Sequence, residues 1–98
     1  AIHNSVIESF RDKRTAAVWV GRLPKGFPAD VACTARRKLR MLDAASRLDD
    51  LKAPPGNRLE ALSGDRRGQH SIRVNDQWRV CFIWRDGGAH DVEVTDYH

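Results

Sequence analysis

Apolar and polar residues alternate most regularly between Gln69 and Tyr97, and the rest of the chain is arranged around that stretch. Three runs with a two-residue period, Gln69–Asn75, Trp78–Arg85 and Ala89–Tyr97, are separated by the turn-forming clusters Asn75-Asp76-Gln77 and Asp86-Gly87-Gly88. Such alternation, punctuated by Asn, Asp and Gly, predicts a three-stranded antiparallel meander. A slip of one residue would turn every side chain to the opposite face, so the register is the one that keeps apolar residues together. Three-residue turns then pair Ile72 with Val80, Val74 with Trp78, Trp84 with His90, Phe82 with Val92 and Val80 with Val94. One face carries Ile72, Val74, Trp78, Val80, Phe82, Trp84, Val92 and Val94, and is the core side.

Upstream the period changes. Val6–Phe10 alternates weakly and reads as a short first strand. Asp12 precedes Arg14–Val20, a helix of about two to three turns that Gly21 ends. Leu23–Pro28 cannot sustain a helix or a central strand and forms a loop. Pro28 suits the start of a second helix, in which Val31, Ala35, Leu39, Leu42 and Ala45 recur at helical spacing and continue loosely to Leu48 and Leu51. Lys52–Asn57 interrupts the pattern. Arg58–Leu62 is a short extended segment, and Ser63–Gly68 a polar, arginine-bearing loop. The order is β-α-α-β-β-β with a small strand before the meander. Two N-terminal helices cover one face of an antiparallel sheet, an α+β fold.

The same register has an odd result on the sheet's other face. Arg73 falls directly opposite Arg79, with Ser71 and Cys81 beside them, Thr95 next to Arg79, and Tyr97 one step further along. Like charges across a strand pair are destabilising, and folding does not ask for them. Two guanidinium groups aimed at one spot, near a tyrosine, suit a polyanionic ligand. Two solvated arginines splayed apart are the bland alternative.

Composition narrows the class. Ninety-eight residues suffice for one small domain with a single modest core, and Ala1–Ser5 reads as an N-terminal extension. No run is long enough to span a membrane, and no segment resembles a signal peptide. Cys33 and Cys81 share no metal-ligand spacing with each other or with the four histidines, so they read as reduced thiols of a cytosolic protein without a metal or other cofactor. The net charge of +4 points to an anionic partner, and its distribution says more than its sum. Residues 11–52 hold eleven Lys/Arg against five Asp/Glu, whereas residues 58–98 hold six against seven. Arg36, Arg37 and Arg40 lie largely off the apolar stripe of the second helix and either follow a nucleic-acid backbone or form a solvated face. Arg66 and Arg67 on the loop suit RNA or the acidic surface of a protein partner.

Several short stretches carry a family likeness: Ser9-Phe10-Arg11-Asp12-Lys13, Arg58-Leu59-Glu60-Ala61-Leu62-Ser63-Gly64-Asp65, Ser71-Ile72-Arg73-Val74-Asn75, Gln77-Trp78-Arg79-Val80 and the closing Asp96-Tyr97-His98. In them the chain resembles the HigB-like (killer protein) toxins of bacterial type II toxin–antitoxin systems, within the RelE/ParE superfamily. The resemblance implies a RelE-like domain, monomeric when free, that enters the ribosomal A site and cuts mRNA. It also implies inhibition by a HigA-type antitoxin, and no metal. The expected chemistry is attack of a ribose 2′-OH on the adjacent phosphate, which needs a base, cations for the charge on the phosphorane, and an acid for the leaving oxygen. Arg73 and Arg79 supply the cations, Tyr97 and His98 a phenol and an imidazole, and Asp96 a carboxylate to orient His98. Some members carry histidine where this chain has Glu60, and lysine where it has Ser63; Glu60 remains able to act as base. A binding poison of the ParE kind, acting on DNA gyrase, shares the fold, and so does a catalytically weak toxin that mainly binds its antitoxin. The polar cluster Glu60, Arg73, Arg79, Tyr97 and His98 separates the nuclease from a pure binder.

Overall fold

The computed structural model describes residues 5–96. Two helices, α1 (Lys13–Trp19) and α2 (Ala29–Asp43), precede a four-stranded antiparallel sheet in the order β1-β2-β3-β4. The strands are β1 (Glu60–Ala61), β2 (His70–Arg73), β3 (Arg79–Arg85) and β4 (Gly88–Thr95). Asp12 caps α1, its Oδ1 accepting from the Thr15 amide at 2.8 Å. The buried stripe Val31, Ala35, Leu39 and Leu42 of α2 packs on Ile72, Val80, Phe82, Val92 and Val94 of the sheet, as the alternation predicts. Removing each large apolar side chain of this core from water contributes roughly 1.5–3 kcal/mol. Trp78 is buried against Phe27, with ring centroids 4.8 Å apart, and the Arg14 guanidinium lies 5.0 Å from the Phe27 ring.

The first segment is not a regular strand. Ile7 and Phe10 make isolated parallel bridges to Ala89 and Val92 of β4. Its entry is fixed by Asp43, whose Oδ1 accepts from Ser5 Oγ (2.7 Å), Val6 N (2.9 Å) and Ile7 N (3.0 Å). Asp43 is also the last residue of α2, so the helix stops short of Leu48 and Leu51. Those leucines lie instead in a 3-10 turn, Leu48–Lys52, where Leu51 is still buried. The extended segment around Glu60 is likewise shorter than expected, because Arg58 adopts a left-handed conformation (φ 46°) just before it.

The β2–β3 register is as expected, with Ile72 opposite Val80 and Arg73 opposite Arg79. In the second hairpin the expectation holds for Val80 opposite Val94 and fails beyond Cys81. The turn is two residues, not three: Asp86 (φ 53°) and Gly87 (φ 74°) are both left-handed, and Arg85 faces Gly88. That geometry matches the right-handed twist of the flanking strands. The one-residue difference is absorbed by a bulge in β4, where Asp91 has φ 50°. Trp84 therefore faces Ala89, which is fully buried, and His90 moves opposite Ile83. The expected Trp84–His90 pair does not form.

Candidate active site

On the sheet face turned away from α2, one row of facing residues crosses all four strands: Glu60, Ser71, Cys81 and Glu93. The next row is Arg73, Arg79 and Thr95. Two rows of charged and small side chains on strand backbones are held by the sheet ladder itself, which gives the site a rigid base.

The facing arginines are stabilised by separate acids. Arg79 Nη1 lies 3.2 Å from Glu60 Oε1, and the Arg73 guanidinium is bonded to Asp76 of the β2–β3 turn. That contact, with help from Arg58, holds the Asp76 carboxyl below the usual aspartate range. A third acid, Glu93, takes Arg66 at 3.2 Å and Arg11 at 3.9 Å. Burial beneath these groups pushes the Cys81 thiol up to about 11, so it is not a nucleophile at neutral pH. Among the described residues, three buried side-chain atoms lack a hydrogen-bond partner: His70 Nδ1, Ser71 Oγ and Arg79 Nη1. Glu60 is within ion-pair distance of that last nitrogen but not aligned as its acceptor. The buried Ser71 hydroxyl is thus the unsatisfied group beneath the Glu60–Arg79 ion pair.

The structure thus brings Glu60, Arg73 and Arg79 together. Asp96 accepts from Gln77 Nε2 at 3.2 Å, which ties the end of β4 to the β2–β3 turn beside the Arg79 row. Tyr97 and His98 lie outside the described residues. Arg66 reaches the site, bonded to Gln69 and Glu93, whereas Arg67 is exposed on its loop. Arg36, Arg37 and Arg40 are on α2 in the helical layer and do not join the sheet face. Sequence reasoning did not single out Lys38. Its Nζ donates to Oδ1 of buried Asn57 at 2.6 Å, and burial first, then Arg37 and Arg73, lowers its pKa. Its place in the basic run of α2 gives no hint of the Asn57 partner. Nor does the sequence mark Glu93, except as the residue facing Cys81 in the correct register.

With this geometry in view, comparisons with known proteins are specific. Residues 8–98 match the HigB-like toxin family, described as the RelE-like toxin of the type II toxin–antitoxin system HigB. Toxin HigB-1 of Vibrio cholerae serotype O1 is 50% identical over 63 residues, covering 64% of this chain and 66% of that protein, just under two thirds of its length. Endoribonuclease HigB of Proteus vulgaris is 30% identical over 93 residues, covering 95% of this chain and 100% of the relative. In the YoeB-YefM complex from Staphylococcus aureus, one chain superposes with a TM-score of 0.60 at 13% identity, covering 94% of this chain and 97% of that one, a likeness of fold. The α+β order, the paired arginines and these matches agree: the chain belongs to the HigB-like family of RelE-like toxins from type II toxin–antitoxin systems.

Proposed function

We propose that the chain is a ribosome-dependent endoribonuclease of the cytoplasm that cuts mRNA in the A site and is restrained by a HigA-type antitoxin. The observation that carries this reading is the facing of Arg73 and Arg79, with the Glu60 carboxylate 3.2 Å from Arg79 Nη1. The name of the Proteus relative, an endoribonuclease, supports it.

Chemically, the Glu60 carboxylate takes the proton of a ribose 2′-OH as O2′ bonds to the adjacent phosphorus. Arg73 and Arg79 neutralise the charge that builds on the phosphorane oxygens, an interaction strongest in the transition state. The bond from phosphorus to O5′ breaks, and O5′ receives its proton from Tyr97 or His98, which follow Asp96 in the chain. The products are a 2′,3′-cyclic phosphate and a 5′-OH. No step requires a metal ion. In this reading Arg67, exposed on its loop, binds a phosphate of the surrounding RNA.

Mapping of mRNA 5′ ends after induction without antitoxin tests this. The wild type cuts inside the reading frame only when the message is translated, and Arg79→Ala and a variant lacking His98 lose the cuts. Unchanged cleavage in both variants removes the site assignment. Full-rate cleavage of naked RNA removes ribosome dependence, and gyrase-linked DNA breaks without mRNA cuts replace the nuclease with a gyrase poison.

A further inference from the structure

Glu60 stands on the least supported strand of the sheet. β1 is two residues long and pairs on one side only, Glu60 opposite Ser71 and Ala61 opposite His70. Just upstream lies a second 3-10 turn, Pro55–Asn57, whose backbone bonds are local: Asn57 N donates to Pro54 O (2.9 Å) and Arg58 N to Pro55 O (3.1 Å). Bonds within a turn do not fix its place on the fold, and so do not hold a carboxylate 3.2 Å from Arg79 Nη1.

That place is set by the Asn57 side chain, together with the partial packing of Leu59 on the core. Asn57 is fully buried. Its Nδ2 donates to Leu51 O (3.1 Å) and Ala53 O (3.3 Å) and lies 3.0 Å from Met41 Sδ of α2, while its Oδ1 accepts from Lys38 Nζ at 2.6 Å. Two carbonyls in need of a donor explain a buried amide. They do not explain the lysine. Burial, then Arg37 and Arg73, works against the Lys38 charge, and no carboxylate pairs with it among the described residues. An ammonium has donors and no acceptor, so on Oδ1 it admits one orientation of the amide, with Nδ2 toward Leu51 and Ala53. Without it the amide is free to turn over and lose both carbonyls. Asn57 leads directly into Arg58, whose left-handed backbone (φ 46°) sets the direction in which Leu59 and Glu60 leave. Slack at that junction swings the Glu60 carboxylate relative to Arg79, and a displacement of about 1 Å is costly to a reacting geometry.

We propose that Lys38, acting through the amide of Asn57, is a positioning residue for Glu60: it fixes the point from which β1 departs and so where the carboxylate stands beside Arg79. This rests on the reading of Glu60 as the base that takes the 2′-OH proton.

Lys38→Met keeps the stem and removes the donor, whereas Lys38→Arg keeps a donor for Oδ1. In ribosome-dependent cleavage by the full chain, Lys38→Met lowers kcat about tenfold and leaves KM unchanged, and Lys38→Arg recovers most of the rate. In a Glu60→Gln background Lys38→Met has no further effect, since no carboxylate is left to place. In the free protein, hydrogen exchange at the Asn57 and Arg58 amides quickens in Lys38→Met while the amides of β3 keep their protection. A thermal melt confirms that each variant is folded at the assay temperature; Lys38→Gln, too short to reach Oδ1, replaces Lys38→Met if that variant is not. Equal losses in both backgrounds, unchanged exchange at Asn57 and Arg58, or a raised KM with kcat intact (the mark of direct RNA contact) overturn the proposal alone. Cleavage by Glu60→Gln at the wild-type rate removes the base itself and the proposal with it.

Discussion

Glu60 and Arg79 meet across an intervening strand. They belong to β1 and β3, separated by β2 and so by about 10 Å of sheet, yet Oε1 and Nη1 are 3.2 Å apart. The buried hydroxyl of Ser71 belongs to the strand they span.

Because half of the Glu60 side chain is exposed, this bridge contributes at most about 1 kcal/mol to stability. In the proposed mechanism its weight falls on function. Arg79→Ala is expected to lower the rate of ribosome-dependent cleavage by about 10²–10³-fold, as losing one transition-state donor does. The same variant should melt within about 5 °C of the wild type, on the usual scaling for a domain of this size. Single-turnover cleavage and a thermal melt on the same preparation check the separation.

Thr15 predicts the opposite separation. It is fully buried in α1, and its Oγ1 accepts from the Val94 amide at 2.9 Å. Thr15→Val keeps the shape and strands that amide, at a cost of about 1–3 kcal/mol in a urea titration. Thr15→Ser retains the acceptor and loses only a methyl group. If Thr15→Val matched the wild type, the bond would have no energetic weight.

The thiols differ in reactivity. Cys33 is exposed on α2, and burial raises the Cys81 thiol to about 11. One equivalent of a thiol reagent is taken up by the native chain at neutral pH and two in denaturant. Rapid uptake of two by the native chain would contradict the burial of Cys81 under the charged groups.

Acid stability follows from two depressed carboxyls. Asp50 accepts from the amides of Arg47 and Ser46, and Asp76 is bonded to Arg73; both titrate below the ordinary aspartate value of 3.8 in the folded chain. A depressed folded pKa stabilises above the unfolded value and loses that contribution as pH falls through the folded one. The melting temperature should therefore not respond to these groups from neutrality down to about pH 5, and should drop below pH 4. Asp50→Asn flattens part of the acid limb, which a series of melts between pH 2.5 and pH 7 would show, on the order of tenths of a unit per step.

The meander was legible because one face is buried, which leaves a single register that gathers the valines. Its first hairpin follows that rule. The second departs at Asp86-Gly87, although Asp-Gly is itself a strong signal for a two-residue turn. Reading the apolar pattern first favoured three residues, since a two-residue turn alone would have sent Val92 and Val94 to the wrong face. The chain satisfies both demands with the Asp91 bulge, a device that hydrophobic alternation does not reveal. The end of α2 was hidden for a different reason: Asp43 continues the helical pattern locally, and its task, holding Val6 and Ile7, depends on a contact distant in sequence. At the site, the facing arginines were visible as a like-charge pair that folding would avoid. Of their acids, Glu60 was visible as a member of the polar cluster, whereas Glu93 was less so, because it gathers Arg11 and Arg66 from separate segments.

The leading segment also governs how other molecules can attach. The outward amides of Ala89 and Val92 on β4 are taken by the carbonyls of Val6 and Ser9, and that of Val94 by Thr15. At the far border β1 is only two residues long. With both margins closed or clipped, the sheet offers little template for strand addition or edge-to-edge self-association. Shortening the chain past Ser9 would convert the guarded β4 border into an adhesive one.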